Sequence, residues 1–159
     1  MFTRFAVIFL STMALAQTQS AFSQAIDIAG RQRMLTQKMS KELGLIALNI
    51  DRDAQKQALQ GTIDLFDTSL KALMAGDAER GIPTPPNDKI LKQLEKVGKM
   101  WEDFAALLRH GIDTDGSDRA VLEKVAADNL SLLKEANGVV EFYVAAAEFA
   151  GIVESGTVV

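Results

Sequence analysis

The chain has 159 residues, enough for one buried core and too few for two. It is 48% apolar and 24% charged with a net charge of −4, which excludes a disordered or fibrous chain and the basic footprint of a nucleic-acid or anionic-membrane binder. It has no cysteine, so disulfides, thiolate metal centres, c-type haem attachment and cysteine nucleophiles are excluded, and an oxidising compartment is compatible with the composition.

The first element, residues 1–25, reads as a cleaved signal peptide. Arg4 is the basic n-region, and the apolar run from Phe5 through Leu10 to Ala16 is the h-region. Ala21-Phe22-Ser23 and Ser23-Gln24-Ala25 both offer small-x-small cleavage sites. The apolar run is about a dozen residues, short of the roughly 20 that span a bilayer. Periplasmic export of a soluble protein is therefore expected, with no membrane span after cleavage.

Four helices follow over residues 26–150, with no strand-like alternation, and an antiparallel up-down four-helix bundle is the all-α fold they predict. The first covers about Asp27 to Asn49, with Ile28, Leu35, Met39, Leu43, Ile46 and Ile50 on one face. Asp27 is placed at its start, where the helix dipole favours an acid. The second runs from about Asp53 to Met74 on Leu59, Ile63, Phe66, Leu70 and Leu73, and ends at the Gly76 cap. All three prolines lie in the following connection, between Pro83 and Pro86, and none interrupts a helix.

The third helix has a strict four-three heptad seam of Ile90, Leu94, Val97, Trp101, Phe104 and Leu108. Asn87 or Asp88 is its N-cap, and His110-Gly111 is expected to close it. The fourth begins near Ser117-Asp118 and reaches about Ala150, where Gly151 stops it. Leu122, Val125, Asn129, Leu132, Ala136, Val140, Tyr143, Ala147 and Ala150 share its inner face, so Asn129 and Tyr143 either line a polar pocket or fix register against the first helix. Residues 151–159 are a frayed tail.

Few residues carry chemistry beyond this. Asp113-Thr114-Asp115-Gly116-Ser117-Asp118 resembles a calcium loop but lacks the first ligand and the closing glutamate, so it reads as a polar turn. The single histidine, His110, lies at a helix end and suits neither haem nor a di-iron pair. The methionines do not cluster as a copper site would, and Trp101 belongs to the core. No catalytic triad, phosphate loop or acid pair is present. The expected protein is not an enzyme and has no metal or cofactor.

The head of the first helix is different. Ala29-Gly30 is small, and Arg31, Arg33, Gln37 and Lys38 follow at once. Glycine permits close approach of a second backbone or a ligand, at a helix cost of about 1 kcal/mol. Arg31 lies three after Ile28 and four before Leu35, which places it on the inward stripe. Arg33 lies three after Gly30 and four before Gln37, on the adjoining face about 160° away. Guanidinium groups with an amide nearby suit a small planar oxyanion. The same residues also describe a solvated face, or arginines paired with carboxylates in a structural or interaction bundle.

Ile28-Ala29-Gly30-Arg31-Gln32-Arg33-Met34-Leu35-Thr36-Gln37-Lys38-Met39-Ser40-Lys41 resembles the opening helix of the N-terminal sensor domain of PilJ-type methyl-accepting chemotaxis transducers. It is more distantly similar to the P-box of nitrate/nitrite sensor histidine kinases. The Glu135-Ala136-Asn137-Gly138-Val139-Val140 stretch agrees in a generic way. The resemblance implies a periplasmic sensor domain in signal transduction, a homodimer through the first helix, and a membrane signalling partner. In the nitrate sensors the arginine three after the glycine grips the anion across the dimer interface, and that position is Arg33 here, flanked by Gly30 and Met34. Arg31 and Gln37 match the PilJ-type pattern without an equally firm ligand role.

Overall fold

The computed structural model describes the backbone of residues 3–151 and the side chains of residues 19–151. It has four helices, α1 (Thr3–Ala47), α2 (Arg52–Ala75), α3 (Asp88–Asp113) and α4 (Arg119–Phe149). Among the described residues the only extended pairing is an isolated bridge between Asp77 and Ile82 in the α2–α3 connection. Helices α1 and α2, α2 and α3, and α3 and α4 pack as neighbours, and α4 closes the ring against α1. This is the expected all-α four-helix bundle.

The core follows the predicted stripes except at their ends: Ile50 lies beyond α1 and is 48% exposed, and Ala150 is exposed. Phe66, Phe104, Met39, Leu43, Ile46, Leu59, Ile63, Leu73, Ile90, Leu94, Leu108 and Tyr143 are fully enclosed. Phe66 and Trp101 pack with ring centroids 4.1 Å apart and tilted, an arrangement aromatic pairs favour. Trp101 Nε1 donates to Asp67 at 3.2 Å, so the indole is core on its body and polar only at its tip.

Two helix boundaries differ from the sequence reading. Helix α1 does not start at Asp27: no proline or glycine separates Gln19 from Asp27, and Phe22 and Ala25 pack into the bundle. Asp27 is therefore a mid-helix residue, bonded to Arg31 rather than to a helix terminus. The signal peptide expected over residues 1–25 falls mostly on residues whose side chains are not described, and residues 152–159 lie outside the described residues altogether.

The second difference is Gly111, which lies inside α3 and does not end it. Its missing side chain is filled by Leu43 of α1: a Cβ there would fall 2.5 Å from Leu43 Cδ1. The chain turns instead at Asp115 and Gly116, both at positive φ. Gly76 does cap α2 as expected, with φ 78°, and its N–H donates to Ala72 O. Asn87 caps α3 by accepting from the Ile90 N–H at 3.0 Å, and Asp118 caps α4.

Some polar groups are enclosed. Glu42 is 2% exposed and is paired with Lys38, whose Nζ also donates to Thr62 Oγ1 of α2 at 2.6 Å. Asn129 accepts from Gln37 Nε2 at 3.3 Å, which is the register contact between α4 and α1. Tyr143 makes no such contact: its hydroxyl is buried without a partner among the described residues, and burial pushes its pKa up to about 12.

Candidate functional site

Gly30, Arg31, Arg33, Met34 and Gln37, the candidate site residues at the head of α1, separate once the helix is packed. Leu35, Met39, Leu43 and Ile46 point inward as expected, but Ala25, Ala29, Gln32 and Thr36 are buried with them. These small and polar residues broaden the inward sector and turn its centre by about 30° at 100° per residue. Gln32 rather than Arg31 occupies the slot between Ile28 and Leu35, and its Nε2 donates to Phe66 O at 3.2 Å. Arg31 is accordingly not on the inward stripe. It is 57% exposed and forms an i,i+4 pair with Asp27 at 2.6 Å, a contact worth well under 1 kcal/mol in solvent.

Arg33 is on the opposite shoulder of that sector, facing α4. It is half-buried, and its Nη1 donates to Asn137 Oδ1 at 2.7 Å. No carboxylate among the described residues lies within ion-pair distance of it, so its charge is hydrogen-bonded but not neutralised. Gly30 stands one turn before it, where a Cβ would be 3.9 Å from Arg33 Nη2. That is ordinary contact. A side chain at position 30 would touch the Nη2 end of the guanidinium without clashing.

A shallow groove of about 580 Å³ runs between α1 and α4 at this point. Gly30, Arg33 and Met34 form one wall, and Leu130, Leu133, Lys134 and Asn137 form the other. Met34 and Leu130 are 55% and 65% exposed, large for apolar side chains, and they lie on either wall of the cationic pair Arg33 and Lys134. Three of the predicted site residues, Gly30, Arg33 and Met34, thus come together, while Arg31 and Gln37 do not line this groove. Gln37 instead contacts Asn129.

Sequence reasoning missed the α4 wall. Leu130, Leu133, Lys134 and Asn137 recur at steps of three, one and three, a second stripe beside the inner face of α4. A stripe that is partly apolar and partly charged has no period signal of its own. The Asn137 amide extends the network: its Nδ2 donates to Glu141 Oε1 at 2.6 Å. The groove holds cations, an amide and apolar shoulders, which is a set that can receive an anion. Among the described residues, no group of three or more His, Cys, Asp or Glu side chains is placed to hold a metal ion.

Comparison with known proteins identifies the family and the fold. The family model for the type IV pili methyl-accepting chemotaxis transducer N-terminal domain, PilJ, matches residues 14–127. The match includes the α1 wall of the groove and stops before Leu130. The chain is 34% identical over 98 residues to the methyl-accepting chemotaxis protein McpN of Pseudomonas aeruginosa, an alignment covering 62% of this chain and 18% of that protein. The chain therefore corresponds to under a fifth of that relative's length. The solved ligand-binding domain of the P. aeruginosa nitrate receptor McpN superposes with a TM-score of 0.69 at 31% identity, covering 77% of this chain and 95% of that domain. The solved relative is the ligand-binding domain of a receptor, a signalling module and not a catalyst. The chain belongs to the PilJ family of chemotaxis-transducer N-terminal sensor domains.

Proposed function

We propose that this chain is an extracytoplasmic sensor domain that holds a small planar oxyanion of the nitrate type in the α1–α4 groove, with Arg33 as the principal grip. The observation that carries the reading is the Arg33 guanidinium: half-buried, bonded to a neutral amide, with no carboxylate within ion-pair distance among the described residues. Paired guanidinium N–H groups match a planar oxyanion in one plane. Lys134 adds a second cation, and Gly30 places no side chain against the Nη2 end. The similarity to the ligand-binding domain of a nitrate receptor supports the choice of anion.

A groove this shallow leaves an anion open to water, where one arginine binds weakly. Met34 and Leu130 give the reason to expect a second copy: covering them buries apolar surface and encloses the anion between two Arg33 side chains. The homodimer is thus part of the proposal, as are export by the residue 1–25 leader into the periplasm and a membrane signalling partner. Among the described residues no helix is long and apolar enough to cross a membrane. The scaffold alternative fits Arg31, which is paired with Asp27, and does not fit Arg33.

Calorimetric titration with nitrate, nitrite, chloride and sulfate tests the reading. The parent is expected to bind nitrate or nitrite over chloride and sulfate, and Arg33→Ala to bind neither. Binding of no anion by the parent, or equal binding by Arg33→Ala, would overturn it.

A further inference from the structure

Arg33 is held by an amide, and an amide has two nearly isosteric ends. Its oxygen only accepts and its nitrogen only donates, so an asparagine facing a guanidinium must turn the oxygen toward it. The guanidinium therefore disfavours the reverse, in which two donors would oppose each other, but one hydrogen bond leaves the amide free to swing away. A second group that holds the amide lies one turn further along α4. Glu141 is exposed, and its Oε1 accepts from Asn137 Nδ2 at 2.6 Å while Asn137 Oδ1 accepts from Arg33 Nη1 at 2.7 Å. An ionised carboxylate only accepts, and a guanidinium only donates. Between them the amide has a single satisfied orientation.

We propose that Glu141 is a positioning residue for Arg33, locking the Asn137 amide so that the guanidinium is held by Nη1 with its Nη2 edge presented to the groove. The inference deepens the anion-site reading and rests on it only for its affinity arm. Two facts separate positioning from an incidental contact. Glu141 has no cation within ion-pair distance among the described residues, so its carboxylate is not there as half of a salt bridge. It also does not line the groove. A bare negative charge near an anion site weakens binding by repulsion. A carboxylate at this place helps binding only through the geometry it imposes. Positioning and repulsion therefore predict effects of opposite sign.

The test compares the full chain with Glu141→Ala and Glu141→Gln. The first removes charge and acceptor, and the second removes the charge but keeps an acceptor. In the anion-free protein, NMR of ¹⁵N-labelled arginine reads the rotation of the Arg33 guanidinium. Slow rotation is expected in the parent, fast rotation in Glu141→Ala, and intermediate behaviour in Glu141→Gln, with all three unfolding at closely similar temperatures. In nitrate titrations Glu141→Ala is expected to bind about fivefold more weakly than the parent, the worth of one hydrogen bond of about 1 kcal/mol, with Glu141→Gln between them. Unchanged Arg33 rotation in Glu141→Ala, or nitrate binding as tight as the parent's or tighter, overturns the proposal. A parent that binds none of the anions retires the anion reading, and the Arg33 rotation then decides the role of Glu141 alone.

Discussion

Asn137→Asp changes one atom and reverses the logic of the groove. It places a formal negative charge where Asn137 Oδ1 now accepts from Arg33 Nη1 at 2.7 Å. Two unit charges 4 Å apart interact by about 1 kcal/mol in water and about 4 kcal/mol at the effective dielectric of a protein surface. The groove is shallow and wet, so the lower half of that range applies, about 1–2 kcal/mol. A bound anion must compete with this internal carboxylate, and nitrate affinity should fall by about 5- to 30-fold. Stability should change little. An exposed pair contributes about 0.2–1 kcal/mol, and the new carboxylate also meets Glu141, whose Oε1 is 2.6 Å from the atom it replaces, which offsets the gain. Nitrate calorimetry at low and high salt, with urea unfolding beside it, reads both quantities. The affinity loss should shrink as salt screens the new pair. Asn137→Leu, neutral and of similar size, should lose less affinity than Asn137→Asp. The reasoning is refuted if Asn137→Asp binds nitrate like the parent, or if the leucine variant loses more.

Two further predictions concern the frame that carries the site. Gly116 has φ 67°, and a Cβ there would lie 2.7 Å from Ala47 Cα and 2.8 Å from Ala47 N. Backbone cannot yield as a side chain can, so Gly116→Ala should cost about 2–4 kcal/mol of unfolding free energy, combining the left-handed penalty with overpacking. Gly61→Ala, with nothing within 4 Å, should instead stabilise by up to about 1 kcal/mol, and a comparable effect at both sites in urea unfolding would contradict this. Asp67 accepts from Lys71 Nζ at 2.6 Å, which holds its carboxyl below the ordinary value of 3.8 against the opposing effect of burial, with Trp101 Nε1 helping. A depressed folded-state pKa stabilises above the unfolded value and is lost as pH falls through the folded one. Asp67→Asn should therefore lower the thermal midpoint at pH 7, and the gap to the parent should narrow below about pH 4. A gap that stays constant down to pH 2 would show that the carboxylate charge is not what matters.

The bundle was legible in the sequence because each helix repeats large apolar side chains at helical spacing, and such stripes need a partner. The α3 seam from Ile90 to Leu108 is buried as written. Arg31 was misplaced because its neighbours at Ala25, Ala29, Gln32 and Thr36 are small or polar, and a stripe drawn through Ile28 and Leu35 alone is about 30° off the true inward direction. Gly111 was misread for a related reason. A glycine that ends a helix and one that admits Leu43 look alike until the facing helix is in place. Arg33 was legible through its spacing from Gly30 and the resemblance it carries. Lys134, Asn137 and Glu141 were not, because their meaning depends on which turn of α4 lies opposite Arg33, and only packing fixes that register.

The most direct measurement is a crystal structure of the protein grown with nitrate. The account predicts a planar anion within hydrogen-bond reach of Arg33 Nη2, enclosed where two copies meet over Met34 and Leu130, with Asn137 still holding Nη1. A groove that stays empty at saturating nitrate, or an anion bound away from Arg33, would contradict it.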